Sequence, residues 1–192
     1  MDLTAASTLI AWLDRELWLV TAQAGPRRGG LIATFVNQAT IVPDMPRMLV
    51  GLARPHYTWE LVEASGAFAL HLLGEQHLEL VWRFGLKSGR DLDKLEGLRV
   101  CYEATGSPLL LDVIGSLDCR VEARLDGGDR TVYLAEVVQG QVTHFAPPLT
   151  FKRLLELAPP EHLAELKRQR LHDSHADAVA IRAWRQQSRG PE

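Results

Sequence analysis

In the stretch GGLIATFVNQATIVP, Thr34, Asn37, Gln38 and Thr40 place hydroxyls and amides inside an otherwise apolar strand. Small polar side chains of this kind can satisfy a planar heteroaromatic ligand rich in donors and acceptors. Alternation along a strand would point Thr34, Gln38 and Thr40 to one face and Asn37 to the other, unless a bulge re-aims it. Spacing alone favours a plainer reading, because threonine suits a half-exposed strand. A second cluster, Arg54, His56 and Thr58 in ARPHYTWELVEASG, sits where a helix should begin. A helix start gathers unpaired amides and the positive end of the dipole, so a guanidinium, an imidazole and a hydroxyl there suit the phosphate of a mononucleotide. On spacing alone Thr58 is an N-cap, with Glu60 in the first turn. A full capping box is absent, since Leu61 stands three residues on. Cap and phosphate ligand are compatible roles.

Other constellations carry less chemistry. His172 and His175 flank Asp173 at a helical metal-binding spacing, yet on a polar helix such a pair reads as a solvated face, and no metal is assigned. Ser65, Ser107 and Ser174 lack a GxSxG elbow, and Glu60, Glu63, Glu75 and Glu79 form no pair suited to glycoside hydrolysis. Cys101 and Cys119 lack CxxC spacing, which fits a reducing cytoplasm. The chain has 192 residues, 46% hydrophobic and 23% charged, enough for one sizeable core. Its 21 basic and 24 acidic residues give a net charge of −3 with no like-charge run, which disfavours nucleic acid. The start, MDLTAASTLIAWLDRELWLV, lacks a basic n-region and is broken by Asp14, Arg15 and Glu16, so it reads as neither signal peptide nor membrane anchor. The expected location is cytoplasmic.

These clusters need elements to position them. Leu9, Ile10 and Leu13 predict a short leading helix capped at Ser7 or Thr8. LWLVTAQA, a GPRRGG turn and one long run over LIATFVNQATIV predict a hairpin, followed by a strand at RMLVGLA. HYTWELVEASG predicts a helix ending on glycine, AFALHLL a strand, and GEQHLELVWRFG a helix with Leu78, Val81 and Trp82 on one face. Two long strands, GSLDCRVEARLD and RTVYLAEVVQGQVTH, are joined by Gly127, Gly128 and Asp129, and helices follow. About six strands with peripheral helices predict a mainly β protein, an antiparallel β-barrel, with residues 1–150 as its body and 151–192 as a helical C-terminal extension. No GxGxxG follows a strand, so no Rossmann domain is expected.

The series GGLIATFVNQATIVPDMPRMLVGLARPHYTWELVEASGAFALHLLGEQ, then DKLEG, then LDCRVEARLDGGDRTVYLAEVV, resembles the flavin reductase-like family of FMN-binding split barrels over roughly residues 12 to 150. The resemblance implies a homodimer that binds FMN, with FAD used by some relatives, at the subunit boundary. It also implies hydride transfer from NADH or NADPH to the flavin, and an oxygenase as one class of partner. By the same resemblance Thr34, Asn37, Gln38, Ala39 and Thr40 would line the isoalloxazine and ribityl chain, and Arg54, His56, Tyr57 and Thr58 would hold the phosphate. His71 falls where relatives often carry Asn, and Arg83, Ser88, Asp93 and Lys94 lie in a helix and loop that closes over the site. Trp12 or Trp82 would stack near the flavin. Where the family often reads GDHT, this chain reads GDRT, with Arg130 as a cofactor contact. That departure keeps open a non-catalytic flavin-binding or electron-transfer protein, and the barrel outline keeps open a haem-binding one.

Overall fold

The computed structural model describes residues 3–188. After helix α1 (Thr4–Trp12) come strands β1 (Trp18–Ala24), β2 (Arg27–Ala33), β3 (Val36–Gln38) and β4 (Arg47–Ala53). Helix α2 (Tyr57–Ser65), strand β5 (Ala67–Leu72) and helix α3 (Leu78–Gly85) follow. The short strands β6 (Val100–Tyr102) and β7 (Pro108–Leu110) pair with each other. The long hairpin β8 (Gly115–Asp126) and β9 (Arg130–Val142) precedes helices α4 (Phe151–Leu157) and α5 (Pro160–Ser188).

Seven strands form one antiparallel sheet in the order β2-β1-β5-β8-β9-β4-β3. Its two edges are consecutive in sequence, separated only by Thr34 and Phe35. The edges must therefore lie close together, and the sheet curls into a barrel; the Gly51 N–H donates to the Phe35 carbonyl at 2.8 Å, carrying the β3–β4 ladder back to the connector between the two edges. The same constraint corrects the expected single strand over residues 31–42. Its first half pairs with β1 and its second with β4, so the chain bends at Thr34 and side-chain alternation does not run through.

Other corrections concern ends and short elements. Helix α1 starts at Thr4, and Thr8 lies inside it, its hydroxyl donating to the Thr4 carbonyl at 2.9 Å, so neither Ser7 nor Thr8 caps it. The turn before β2 is confined to Gly25 and Pro26, since Arg27 and Arg28 already pair with β1. The expected six strands become nine among the described residues, because the run over 31–42 divides between β2 and β3, and β6 and β7 are three-residue strands without a period to read.

Two apolar clusters hold the barrel. One packs Val20, Leu52, Leu61, Phe68, Leu70 and Tyr133 between the sheet and α2. The other packs Leu17, Leu19, Val81, Phe84, Leu95 and Leu110 between the sheet, α3 and the β6–β7 ribbon. β5 is buried from Ala67 to His71 because both its faces are covered, and it accordingly reads as an almost unbroken apolar run. Gly30 lets α3 approach: a Cβ there would lie 2.8 Å from the Val20 carbonyl and 3.0 Å from the Phe84 ring. No helix among the described residues is long and apolar enough to cross a membrane.

Candidate functional site

Helix α2 ends on Gly66 in the left-handed conformation, where its N–H bonds the Val62 carbonyl at 2.8 Å. At its other end no side chain caps it. His56, with extended backbone, stands at the N-cap, and Thr58, expected as the cap, is instead the second helical residue and 2% exposed. The first-turn amides are thus left without a side-chain acceptor, at the positive end of the helix dipole. They border a cleft of about 360 Å³ lined by His56, Tyr57, Thr58, Ser88, Arg90 and Lys94.

Lys94 is the unusual member of this wall. Only 3% exposed, it donates to the Phe84 and Lys87 carbonyls, both at 3.0 Å, and meets no carboxylate among the described residues. Desolvation lowers its pKa to about 8. An ammonium has three protons, so one is left for a ligand. Arg90 arches over the same helix end, donating to the Pro55 carbonyl at 3.0 Å and pairing with Glu60. The His56 imidazole titrates below the usual histidine range, desolvation outweighing the pull of Asp173, with the Lys94 charge lowering it further.

A second chamber of about 660 Å³ adjoins the first, sharing Leu31, Ile32, Pro55, His56 and residues of α5. Thr34, Phe35 and Arg130 line it, with Leu52 and Ile181 supplying apolar wall. The Arg130 guanidinium lies 4.6 Å from the Phe35 ring centroid and pairs with Asp129 and, at 2.9 Å, with Asp177 of α5. Burial pushes the Asp177 carboxyl up despite the opposing pull of Arg130.

The structure therefore gathers Thr34, His56, Tyr57, Thr58, Lys94 and Arg130 about two connected chambers. It places the other expected residues elsewhere. Gln38 and Thr40 line a separate groove of about 710 Å³ with Ile41, Val42 and Met48, and Ala39 lies beside it; Asn37 is exposed on β3. The bend at Thr34 is the cause. Arg54 turns to the β8–β9 hairpin and pairs with Asp126 at 2.6 Å. His71 is fully buried: its Nδ1–H donates to the Leu19 carbonyl and its Nε2 accepts from the Leu110 N–H, both at 3.0 Å, so neither nitrogen is free for a ligand.

Asp93 pairs with Arg28 at 2.7 Å and Arg83 donates to the Glu96 carbonyl, both outside the cleft wall. Trp82 stacks on His162 at 4.4 Å and Trp12 is exposed on α1, so neither lines a chamber. The spacing of residues 54–58 gave no signal for Arg90, which enters from a distant loop. Nor did it point to α5, although Gln169, Asp173 and Asp177 recur four residues apart on it.

An antiparallel barrel whose seam opens on an uncapped helix end and a buried lysine defines a split-barrel fold. A family model described as flavin reductase like domain matches residues 13–154, and the chain belongs to that family. It is 30% identical over 153 residues to the high molecular weight rubredoxin of Moorella thermoacetica, covering 79% of this chain and 64% of that protein. It is 30% identical over 137 residues to the ferric-chelate reductase (NAD(P)H) of Archaeoglobus fulgidus, covering 70% and 80%. Against diflavin flavoprotein A 1 of Synechocystis sp., 28% identical, it spans only 23% of the relative's length. A flavin reductase solved with NADP+ superposes with a TM-score of 0.66 at 16% identity, covering 79% of this chain and 94% of that one.

Proposed function

We propose that the protein binds FMN across the two chambers and acts as an NAD(P)H:flavin oxidoreductase. The observation that carries this reading is the convergence of the uncapped α2 N-terminus and the anion-free ammonium of Lys94 on one cleft. Together they match a phosphate, while the Phe35, Leu31 and Ile32 surface beside Thr34 and Arg130 matches a ring with polar edges. Both chambers are of the size that holds small ligands. Bound flavin supplies two-electron chemistry, accepting a hydride from reduced nicotinamide. The chain's residues position it: α2 and Lys94 fix the phosphate, the apolar wall excludes water, and Arg130 offers positive charge at the ring end. No side chain is needed as a proton-transferring catalyst. The acceptor we infer is free flavin or a separate oxygenase.

Titrating the purified protein with FMN should quench flavin fluorescence at one site per chain, and added NADH or NADPH should bleach the visible absorption of the bound flavin. A bound flavin that neither nucleotide reduces would favour the electron-transfer reading, and no binding would reject both.

We also infer a homodimer. The groove lined by Gln38, Thr40, Val42 and Met48 also carries Ile41, 93% exposed, an apolar surface suited to a second copy. Light scattering should give twice the 21.4 kDa chain mass, and Ile41→Glu should return it to that mass; a monomeric wild type would overturn this inference.

A further inference from the structure

The family domain ends at residue 154, yet one wall of the outer chamber comes from beyond it. Helix α5 runs along the seam and presents Leu166, Gln169, Arg170, Asp173, Asp177 and Ile181 to the cavity. These positions follow the i, i+3, i+4 rule for one helix face. The helix has no fully buried residue; Leu166 packs on the second apolar cluster, and polar and aromatic anchors complete the docking. They are the Asp177–Arg130 pair, the Gln169 side-chain bond to the Leu86 carbonyl, the stacking of Trp82 on His162, and Trp184 seated on Gly128. Gly128 has φ of +91°, and a Cβ there would lie 2.7 Å from the Trp184 Cβ, so only glycine admits this contact.

Four arginines line the two chambers, and three are already engaged. Arg90 holds Glu60, Arg130 lies between Asp129 and Asp177, and Arg168 pairs with Glu165. Arg170 alone among them has no acceptor among the described residues, and it lines the outer chamber, away from the α2 end. Of the carboxylates there, Asp129 and Asp177 are taken up by Arg130, while Asp173 raises the His56 pKa through its charge and, among the described residues, pairs with no guanidinium. An unpaired guanidinium at a ligand-sized cavity is built to receive an anion in bidentate fashion. The flavin phosphate belongs at the other end.

We propose that Arg170 binds a phosphate of the second substrate, the reduced nicotinamide dinucleotide, and that α5 is a substrate-selecting wall this chain adds to the family domain. This rests on the flavin oxidoreductase reading above. It is tested on the full chain by titrating NADP+ into wild type, Arg170→Ala, Arg170→Lys and Lys167→Ala, with FMN affinity measured in parallel. Lys167, exposed like Arg170 and on the same helix, lines neither chamber. Arg170→Ala should weaken NADP+ about tenfold, Arg170→Lys should recover part of that, and Lys167→Ala should match wild type, with FMN affinity the same in all four. Equal NADP+ affinity in wild type and Arg170→Ala overturns the proposal. So does an equal loss in Lys167→Ala, or a loss confined to FMN. If wild type takes up no FMN, the flavin reading fails, and the NADP+ titration of the colourless protein still decides for or against Arg170.

Discussion

Replacing Lys94 by methionine will weaken FMN binding at pH 7 by tenfold to a hundredfold and will remove most of its pH dependence. The stem of the side chain is kept, so the packing against Phe84, 5.3 Å from Nζ to the ring centroid, changes little. What is lost is a hydrogen bond from a cation to a phosphate, about 1.5–3 kcal/mol, which sets the expected range. The sign with pH follows from the direction of the shift. Burial favours the neutral amine, so the free protein loses this proton near pH 8 instead of 10.5. Below pH 8 the ammonium is present and greets the phosphate; above it the unliganded site is neutral, and wild-type affinity should fall with rising pH. The methionine variant should show a flat profile over the same interval, measured by flavin fluorescence.

Linkage gives a second readout. Between pH 8 and 10.5 the unfolded chain holds a proton the folded one has released, so unliganded wild type should gain stability with rising pH there, and the variant should lack that slope. A wild-type affinity that does not move between pH 7 and 9.5 would place the phosphate elsewhere.

Lys94 also shows what a sequence reveals and what it withholds. The long strands β8 and β9, the helix ended by Gly66 and the leading hairpin are written in local periodicity and turn residues, and the structure has them where those signals lie. The 54–58 cluster is likewise local, and three of its four expected members, His56, Tyr57 and Thr58, face the cleft. Arg54 departs because its partner, Asp126, belongs to a hairpin some seventy residues on, at roughly the separation where spacing carries no signal.

The polar run at 34–40 is divided for a related reason. Period-two alternation assumes one continuous strand, whereas closing the barrel requires the segment to leave one sheet edge and join the other. A closure constraint is a property of the whole sheet and is invisible in any window of ten residues. The wall supplied by α5 is hidden in the same way, since its mean character is that of a solvated helix and only docking on Arg130 and Gly128 gives one face a role.

His71 should govern acid stability and leave flavin affinity alone. Its ring joins three strands: Nδ1–H bonds the Leu19 carbonyl of β1, Nε2 accepts from the Leu110 N–H of β7, and the residue itself is in β5. Both bonds require the neutral imidazole, because a protonated Nε2 would confront the Leu110 N–H as donor against donor. Complete burial lowers its pKa from 6.5 to about 4, the bond to the Leu19 carbonyl opposing the shift. For a base held neutral in the fold, the unfolded chain binds the extra proton first as pH falls. Stability should therefore drop between pH 6.5 and 4, by about 3 kcal/mol at the lower limit from this residue.

His71→Leu removes that titration at the expense of two orphaned backbone groups, each worth about 1–3 kcal/mol. Urea unfolding should find it less stable than wild type at pH 7 by roughly 3 kcal/mol, with the gap narrowing toward pH 4 as wild type loses its advantage. The folded variant should bind FMN within about twofold of wild type, since two ring nitrogens already engaged inside the sheet have nothing to give a ligand in the cleft. A variant that keeps wild-type stability at neutral pH while losing FMN would reverse this assignment, and would require His71 to turn out of the core and donate to the ligand instead.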